Sequence, residues 1–177
     1  MSEHSEHSEH SEHSDQLYRK MVLQKQLSIR PDEINKNINK NLEKCLKSSV
    51  EGICIKEGYV RFDSTKILSR TFGKLDIVNF SGNTTYNVMY QVEICNPQKG
   101  QIIECEVEDN NKSAVNAFVG DVETSPLDIY LPRSHYNGNA EFISLKKGDI
   151  IKVKVIKHKF EYKDTVIAVV AEYLEKL

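Results

Sequence analysis

The sequence lacks the features that mark exported, membrane-spanning or zinc-binding chains. It has no run of about 18 apolar residues, and it opens with Ser, Glu and His where a leader would be basic and then apolar. We therefore expect neither a signal peptide nor a membrane span. The four cysteines form no C-x-x-C pair: Cys45, Cys54, Cys95 and Cys105. Their even number would permit disulfides, but without an export signal free thiols are favoured.

A strong excess of one charge is also missing. The chain has 24 basic and 26 acidic residues among 177, for a net charge of -2. Proteins that hold nucleic acid by bulk electrostatics normally show a clear basic excess. Any contact with nucleic acid is therefore expected to be local.

The usual signatures of catalysis are absent from the sequence as well. Glycine-rich phosphate loops of the G-x-G-x-x-G or G-x-x-x-x-G-K type do not occur. His135 and His158, the histidines beyond the N-terminal segment, have no Ser or Cys nucleophile motif nearby. We expect a binding protein with no catalytic site, no cofactor and no bound metal, although an enzyme with an unrecognised site is an alternative.

The N-terminal segment, residues 1–16, is a Ser-Glu-His repeat followed by a short polar stretch. It has no apolar residues beyond Met1, so it is expected to be disordered. Histidine recurs at every third position, at His4, His7, His10 and His13. This spacing fits adventitious metal binding, but an acidic tail whose charge changes near the ordinary His pKa, about 6.5, is the preferred interpretation.

Residues 17–96 are expected to fold as an α+β domain, one helix packed on an antiparallel sheet. Residues 22–29 favour a strand, and Pro31 with Asp32 and Glu33 favours the first turn of a helix. An apolar stripe at four-residue spacing would cover one side of the sheet: Ile34, Ile38, Leu42 and Leu46. The period then falls to two, which predicts strands at 53–55, 59–62, 74–78 and, most clearly, 85–95.

Residues 97–177 are expected to form an all-β, five-stranded OB-fold barrel. Pro97 and Gly100 interrupt the preceding strand and predict a hinge. The predicted strands are 101–108, 113–122, 127–132, 149–160 and 165–173, with the longest connection between the third and the fourth. A loop is expected at 136–139.

The fourth barrel strand carries a lysine-rich stripe. Lys152 and Lys154 alternate with valines, and the stripe continues out of step through Lys157 and Lys159. It would follow an RNA backbone, or it would be a solvated edge that prevents strand-to-strand aggregation. Phe118 and Tyr130 are the candidate stacking rings on the second and third strands, with Phe118 also a candidate for the core. We expect weak, sequence-tolerant RNA binding.

Two short motifs resemble a known family. The first is a Val-Glu-Gly-x-Cys stretch leading to Gly-Tyr, matched by Val50, Glu51, Gly52, Cys54, Gly58 and Tyr59. The second is an aromatic-Asn-Val-x-Tyr strand running into Pro-x-x-Gly, matched by Tyr86, Asn87, Val88, Tyr90, Pro97, Lys99 and Gly100. Their order and spacing resemble the stalk subunit of multisubunit DNA-directed RNA polymerases, which is the seventh subunit of eukaryotic polymerase II and has an archaeal counterpart. A large DNA virus is a fitting source.

The resemblance implies a non-catalytic transcription subunit. The first domain would dock on the polymerase core, a smaller helical subunit would complete a heterodimer, and the OB-fold would contact nascent single-stranded RNA. The implied docking residues are Lys56, Glu57, Gly58 and Tyr59, and the implied RNA face is the lysine stripe. The protein would act in the nucleus of a cell, or in the virion and host cytoplasm for a virus. A free-standing OB-fold factor of translation or RNA processing is the alternative.

Overall fold

The computed structural model describes residues 17–77, 81–136 and 140–177. The Ser-Glu-His segment, Val78 and the tip of the loop predicted at 136–139 lie outside the described residues, so those expectations stay predictions. The chain divides into two compact units. The sheet unit comprises residues 19–51 and 60–94, and the described part of the barrel unit comprises residues 17–18, 52–59 and 95–177 apart from the gap.

The secondary-structure elements follow this order. They are β1 (Tyr18–Ile29), α1 (Ile38–Val50), β2 (Cys54–Ile55), β3 (Gly58–Val60), β4 (Lys66–Arg70), β5 (Lys74–Leu75), β6 (Thr84–Cys95), β7 (Ile102–Asn110), β8 (Ala114–Phe118), β9 (Leu127–Pro132), α2 (Ala140–Ile143), β10 (Ile150–Lys159) and β11 (Ile167–Lys176). A single turn of 3-10 helix, Pro31–Glu33, precedes α1, and another, Arg133–His135, follows β9.

The sheet unit is organised around β6, which pairs with β1, β4 and β5. The predicted alternation of this strand is confirmed, because its apolar face is buried: Tyr86, Val88, Tyr90, Val92 and Ile94. α1 buries Leu42, Leu46 and Val50 in this unit. The ammonium of Lys25 on β1 donates to the Ser49 carbonyl at 3.1 Å, which ties the end of the helix to the sheet.

The predicted start of the helix was wrong by seven residues. Pro31 begins an isolated 3-10 turn, and α1 starts at Ile38. Between them the Asn35 side chain accepts the backbone N–H of Asn37 at 2.8 Å, a local bond that competes with the helical pattern. Ile34, the first residue of the predicted stripe, is therefore exposed.

The barrel unit confirms the predicted five-stranded OB-type fold. Its strands close in the order β10-β11-β9-β8-β7, and β10 pairs with β7 to complete the barrel. β11 and β9 are parallel, and the other neighbouring pairs are antiparallel. The sequence did not predict α2, which lies between β9 and β10 and places Phe142 in the barrel core.

The turn that leads into β10 depends on one carboxylate. Asp149 accepts the Lys146 backbone N–H at 2.8 Å and the Lys176 ammonium at 2.7 Å. The Lys176 hydrogen bond is the larger cause that holds the Asp149 pKa below its ordinary value of 3.8. A carboxyl with a lowered pKa stabilises the fold above its ordinary pKa, and loses that contribution as the pH falls through the folded value.

Asp149→Asn is therefore expected to lower the free energy of unfolding at neutral pH, and by a constant amount between about pH 8 and pH 5. The gap from the wild type should close as the pH falls below 3.8. Urea unfolding at a series of pH values measures this. Asp128→Asn, which changes an exposed carboxylate on β9, is the control and should stay within about 0.5 kcal/mol of wild type. A gap for Asp149→Asn that stays open in strong acid would contradict the assignment.

Candidate functional sites

The four predicted docking residues lie together in one hairpin of the barrel unit, residues 54–59, called here the docking hairpin. Cys54 pairs with Tyr59 and Ile55 with Gly58, which leaves Lys56 and Glu57 as a two-residue turn. Gly58 has a φ of 137°, a conformation that side chains rarely adopt. The backbone conformation at this position therefore explains why the motif has a glycine there.

The side chains of this hairpin have different environments. Lys56 is exposed and Glu57 half-buried, whereas Tyr59 packs in the barrel core with Cys54 and Cys95. Burial raises the Tyr59 pKa, with smaller contributions from the two thiols. Within the barrel unit, Tyr59 is thus a packing residue, and Lys56 is the side chain most available to a partner. The docking role itself stays a prediction.

Backbone hydrogen bonds join the docking hairpin to the turn between β10 and β11. The Cys54 N–H donates to the Asp164 carbonyl at 2.7 Å, and the Lys163 N–H donates to the Cys54 carbonyl at 2.8 Å. The Cys54 thiol also lies 3.8 Å from the Val166 carbonyl. Because both segments belong to the barrel unit, the hairpin and this turn form one continuous piece of structure.

The lysine stripe on β10 is not uniform. A bulge between Val155 and Lys157 shifts the alternation, as the sequence predicted. Lys152 lies between two carboxylates, 3.8 Å from Glu104 and 3.2 Å from Glu175. Lys154 lies opposite Glu172 in the strand register, and Lys159 lies 3.5 Å from Glu161. Lys154, Lys157 and Lys159 are exposed, whereas Lys152 is half-buried, so Lys152 differs from the other three lysines of the stripe.

The two predicted stacking rings also differ in accessibility. Phe118 on β8 is 7% exposed and belongs to the core, the second of the roles considered for it. Tyr130 on β9 is 42% exposed and lies opposite Val170 of β11. Val170 in turn lies opposite Lys157 of β10, which places Tyr130 and Lys157 on one row across three strands. The structure thus brings one predicted ring and one predicted lysine onto the same row.

The end of β10 carries aromatic rings that were not singled out from the sequence, although Lys157 and Lys159 beside them were. Residues 157–163 have the sequence Lys-His-Lys-Phe-Glu-Tyr-Lys and form the end of β10 with the turn that follows, called here the 157–163 turn. His158 and Phe160 stack with centroids 6.1 Å apart and planes 14° from parallel. Interleaved basic and aromatic residues are the signal that could have found these rings.

Within residues 17–77, 81–136 and 140–177, no helix is long and apolar enough to cross a membrane. No group of three or more His, Cys, Asp or Glu side chains in those residues could hold a metal ion. All four cysteines are free thiols, and Cys54, Cys95 and Cys105 are buried.

Several known proteins are similar in sequence to this chain. No protein-family model matches the chain. A protein named as a DNA-directed RNA polymerase subunit in Acanthamoeba polyphaga mimivirus is 27% identical over 171 residues, which cover 90% of this chain and 83% of that protein. DNA-directed RNA polymerase II subunit 7 of Arabidopsis thaliana is 31% identical over 123 residues, 69% of this chain and 65% of that protein.

Subunit RPB7 of RNA polymerase II from Glycine max is 26% identical over 145 residues, which cover 77% of this chain and 81% of that protein. Each of these alignments is longer than either unit, so the similarity extends beyond the barrel. These homologues therefore indicate an RNA polymerase subunit, and the chain is similar over most of its length to subunit 7 of RNA polymerase II.

Proposed function

We propose that this chain is a stalk subunit of its polymerase: it docks on the polymerase core and holds an OB-fold near exiting RNA, without a catalytic site of its own. The observation that carries the proposal is the similarity over 90% of the chain to a protein named as a polymerase subunit. A free-standing RNA-binding factor would need to be similar to a polymerase subunit only over the barrel. The proposal also includes a small helical partner subunit.

The docking hairpin supports the first half of this proposal. Gly58 permits the φ of 137° that the hairpin requires, and the Asn96 side chain donates to the Glu57 carbonyl at 2.9 Å. The turn therefore presents Lys56 from a hydrogen-bonded backbone, and an exposed charged side chain can select a partner by complementary charge. In a cellular source the complex would act in the nucleus, and in a viral source in the virion and the host cytoplasm.

Lys56→Glu is expected to reduce recovery of the large polymerase subunits by about tenfold or more, because a reversed charge at a protein interface is repelled by the groups that attracted the original. The full chain, tagged at its C-terminus, would be expressed in the host that encodes it. Proteins that co-purify at moderate salt would then be quantified by mass spectrometry against the untagged background.

Lys147→Glu is the matched control, because Lys147 is an exposed lysine in the turn before β10. It makes the same change of charge outside the docking hairpin and should leave the recovery at the wild-type level. Wild-type recovery for Lys56→Glu would overturn the role of the hairpin. Recovery of ribosomes or RNA-processing complexes in place of polymerase would overturn the stalk assignment and support a free-standing RNA-binding factor. The structural basis for that alternative is the closed barrel with its exposed lysines.

A further inference from the structure

We infer that the 157–163 turn is the RNA-contacting element of the barrel: a base of single-stranded RNA stacks on Tyr162, and the flanking phosphates contact Lys157 and Lys163. This inference rests on the proposed function, because it specifies how the barrel meets RNA. It moves the contact from the β8–β9 face, where the sequence placed the rings, to the end of β10.

Ring accessibility is the first argument. Stacking requires an open aromatic face, and Tyr162 is 63% exposed, against 42% for Tyr130. The other rings considered for the barrel surface are less open, since Phe118 is buried and Phe160 packs partly against the core. The 157–163 turn thus carries the most open tyrosine of the described residues in the barrel unit.

The available positive charge is the second argument. The Lys163 ammonium lies over one face of the Tyr162 ring, 5.8 Å from its centroid, so a base would stack on the other face and its phosphate would have this cation nearby. Among the described residues, no carboxylate is within ion-pair distance of Lys157 or Lys163. Lys159 pairs with Glu161, but both side chains are largely exposed, and such a pair is weak and open to exchange.

The acidic groups of the turn do not cancel this charge. Residues 157–164 have three lysines against two carboxylates, and the Asp164 carboxylate accepts the backbone N–H of Glu161 at 2.6 Å. Glu161 faces Lys159, and Glu172 lies opposite Lys154 further along β10. Lys157 and Lys163 are left to meet phosphates.

A fixed backbone is the third argument. The Asp164 N–H donates back to the Glu161 carbonyl at 3.2 Å, and Lys163 has a φ of 75° that sets the direction of the turn. The two backbone bonds to Cys54 hold the same turn from the other side. A site fixed before binding loses less conformational entropy when the ligand arrives. The turn also lies directly beside the docking hairpin, so RNA held there would be close to the surface proposed to meet the polymerase.

The test measures affinity for a fluorescently labelled, uridine-rich single-stranded RNA, using the purified full chain. Tyr162→Ala is expected to weaken binding about tenfold, the usual effect of removing one stacking ring. Tyr162→Phe keeps the ring and should bind like the wild type. Equal affinity for the Ala and Phe variants, or no RNA binding by the wild type, would overturn the inference.

The lysines are tested through salt dependence with a matched pair. Lys157→Ala should reduce the slope of log affinity against log salt by about 0.7, the value for one lost phosphate contact on a single strand. Lys147→Ala removes an exposed lysine from the turn before β10, outside the lysine stripe, and should leave the slope unchanged. Equal slopes for the two variants would overturn the phosphate contact.

Polymerase recovery separates this inference from the proposed function. If the turn binds RNA, Tyr162→Ala recovers as much polymerase as the wild type while its RNA affinity falls. If Tyr162→Ala loses polymerase and keeps RNA affinity, the turn is a protein contact and the inference fails, although the stalk role stands. If Lys56→Glu recovers polymerase at the wild-type level and Tyr162→Ala loses RNA affinity, the docking role of the hairpin is wrong and the RNA-contacting role of the turn stands.

Discussion

Replacing Phe142 by alanine is expected to lower the free energy of unfolding by about 3–5 kcal/mol, the cost of emptying a large buried site. Phe142 is 0% exposed and belongs to the core of the barrel. Its ring lies 4.4 Å from that of Tyr136 and 5.5 Å from that of Tyr173, measured between centroids. Since α2 has four residues, its position depends on this one anchor more than on its own hydrogen bonds.

Ile143→Ala is the control for that experiment. Ile143 is the next residue of α2 and is 51% exposed, so its truncation removes apolar surface without leaving a cavity. It should change the unfolding free energy by less than about 1 kcal/mol. Both variants would be measured by urea unfolding followed by circular dichroism. Equal losses for the two variants would show that the cost comes from disturbing the helix and not from the packing of the Phe142 ring.

The regular strands could be predicted from the sequence because their burial alternates. β6 has five buried residues at every second position, and the predicted and observed bounds differ by one residue at its start. β9 was predicted with its observed ends, Leu127–Pro132, because apolar and polar residues alternate through it. A strand buried on one face has alternating apolar and polar residues in the sequence. The barrel fold can be inferred once five such strands are recognised.

Elements without such a period were missed or misplaced. β4 has mostly exposed side chains, so no apolar pattern marked it, and it is a strand because β6 supplies its hydrogen bonds. α2 is too short to show a helical repeat, and its formation follows from the burial of Phe142. The helix was predicted to start at Pro31 because the sequence there has a turn signal. In the structure the Asn35 side chain accepts the Asn37 N–H, and Pro31 begins only an isolated 3-10 turn. In each case tertiary or local side-chain contacts determined the secondary structure, and such contacts leave no periodic pattern in the sequence.

The candidate sites likewise combine features that the sequence shows with features that depend on the fold. The predicted docking residues lie in one hairpin, but the sequence motifs did not show that Tyr59 is buried while Lys56 is exposed. The lysine stripe was visible as a row of cations, whereas the carboxylates that meet Lys152 come from β7 and β11 and depend on the strand register. Charge along one strand is a sequence property, but charge balance across strands is a property of the fold.

Three of the four cysteines are expected to resist alkylation in the folded protein. Burial raises the pKa of Cys54 to about 11, and those of Cys95 and Cys105 to about 12, with Asp164 adding to the shift at Cys54 and Cys54 adding to that at Cys95. The thiolate is the reactive form, so at pH about 8 these thiols react at least about a hundredfold more slowly than an accessible thiol of ordinary pKa, about 8.5. Cys45 on α1 is half-buried and should carry the rapid label.

Iodoacetamide labelling followed by intact-mass measurement and peptide mapping tests this expectation. The native protein should gain one adduct quickly, and Cys45→Ser should abolish that fast phase. In denaturant all four thiols should react, which controls for the chemistry of each cysteine. Because Cys54 bonds through its backbone to Lys163 and Asp164, early labelling of Cys54 would mean that the docking hairpin separates from the 157–163 turn in solution. That result would contradict the fixed backbone on which the RNA contact depends, and it would do so without any RNA in the experiment.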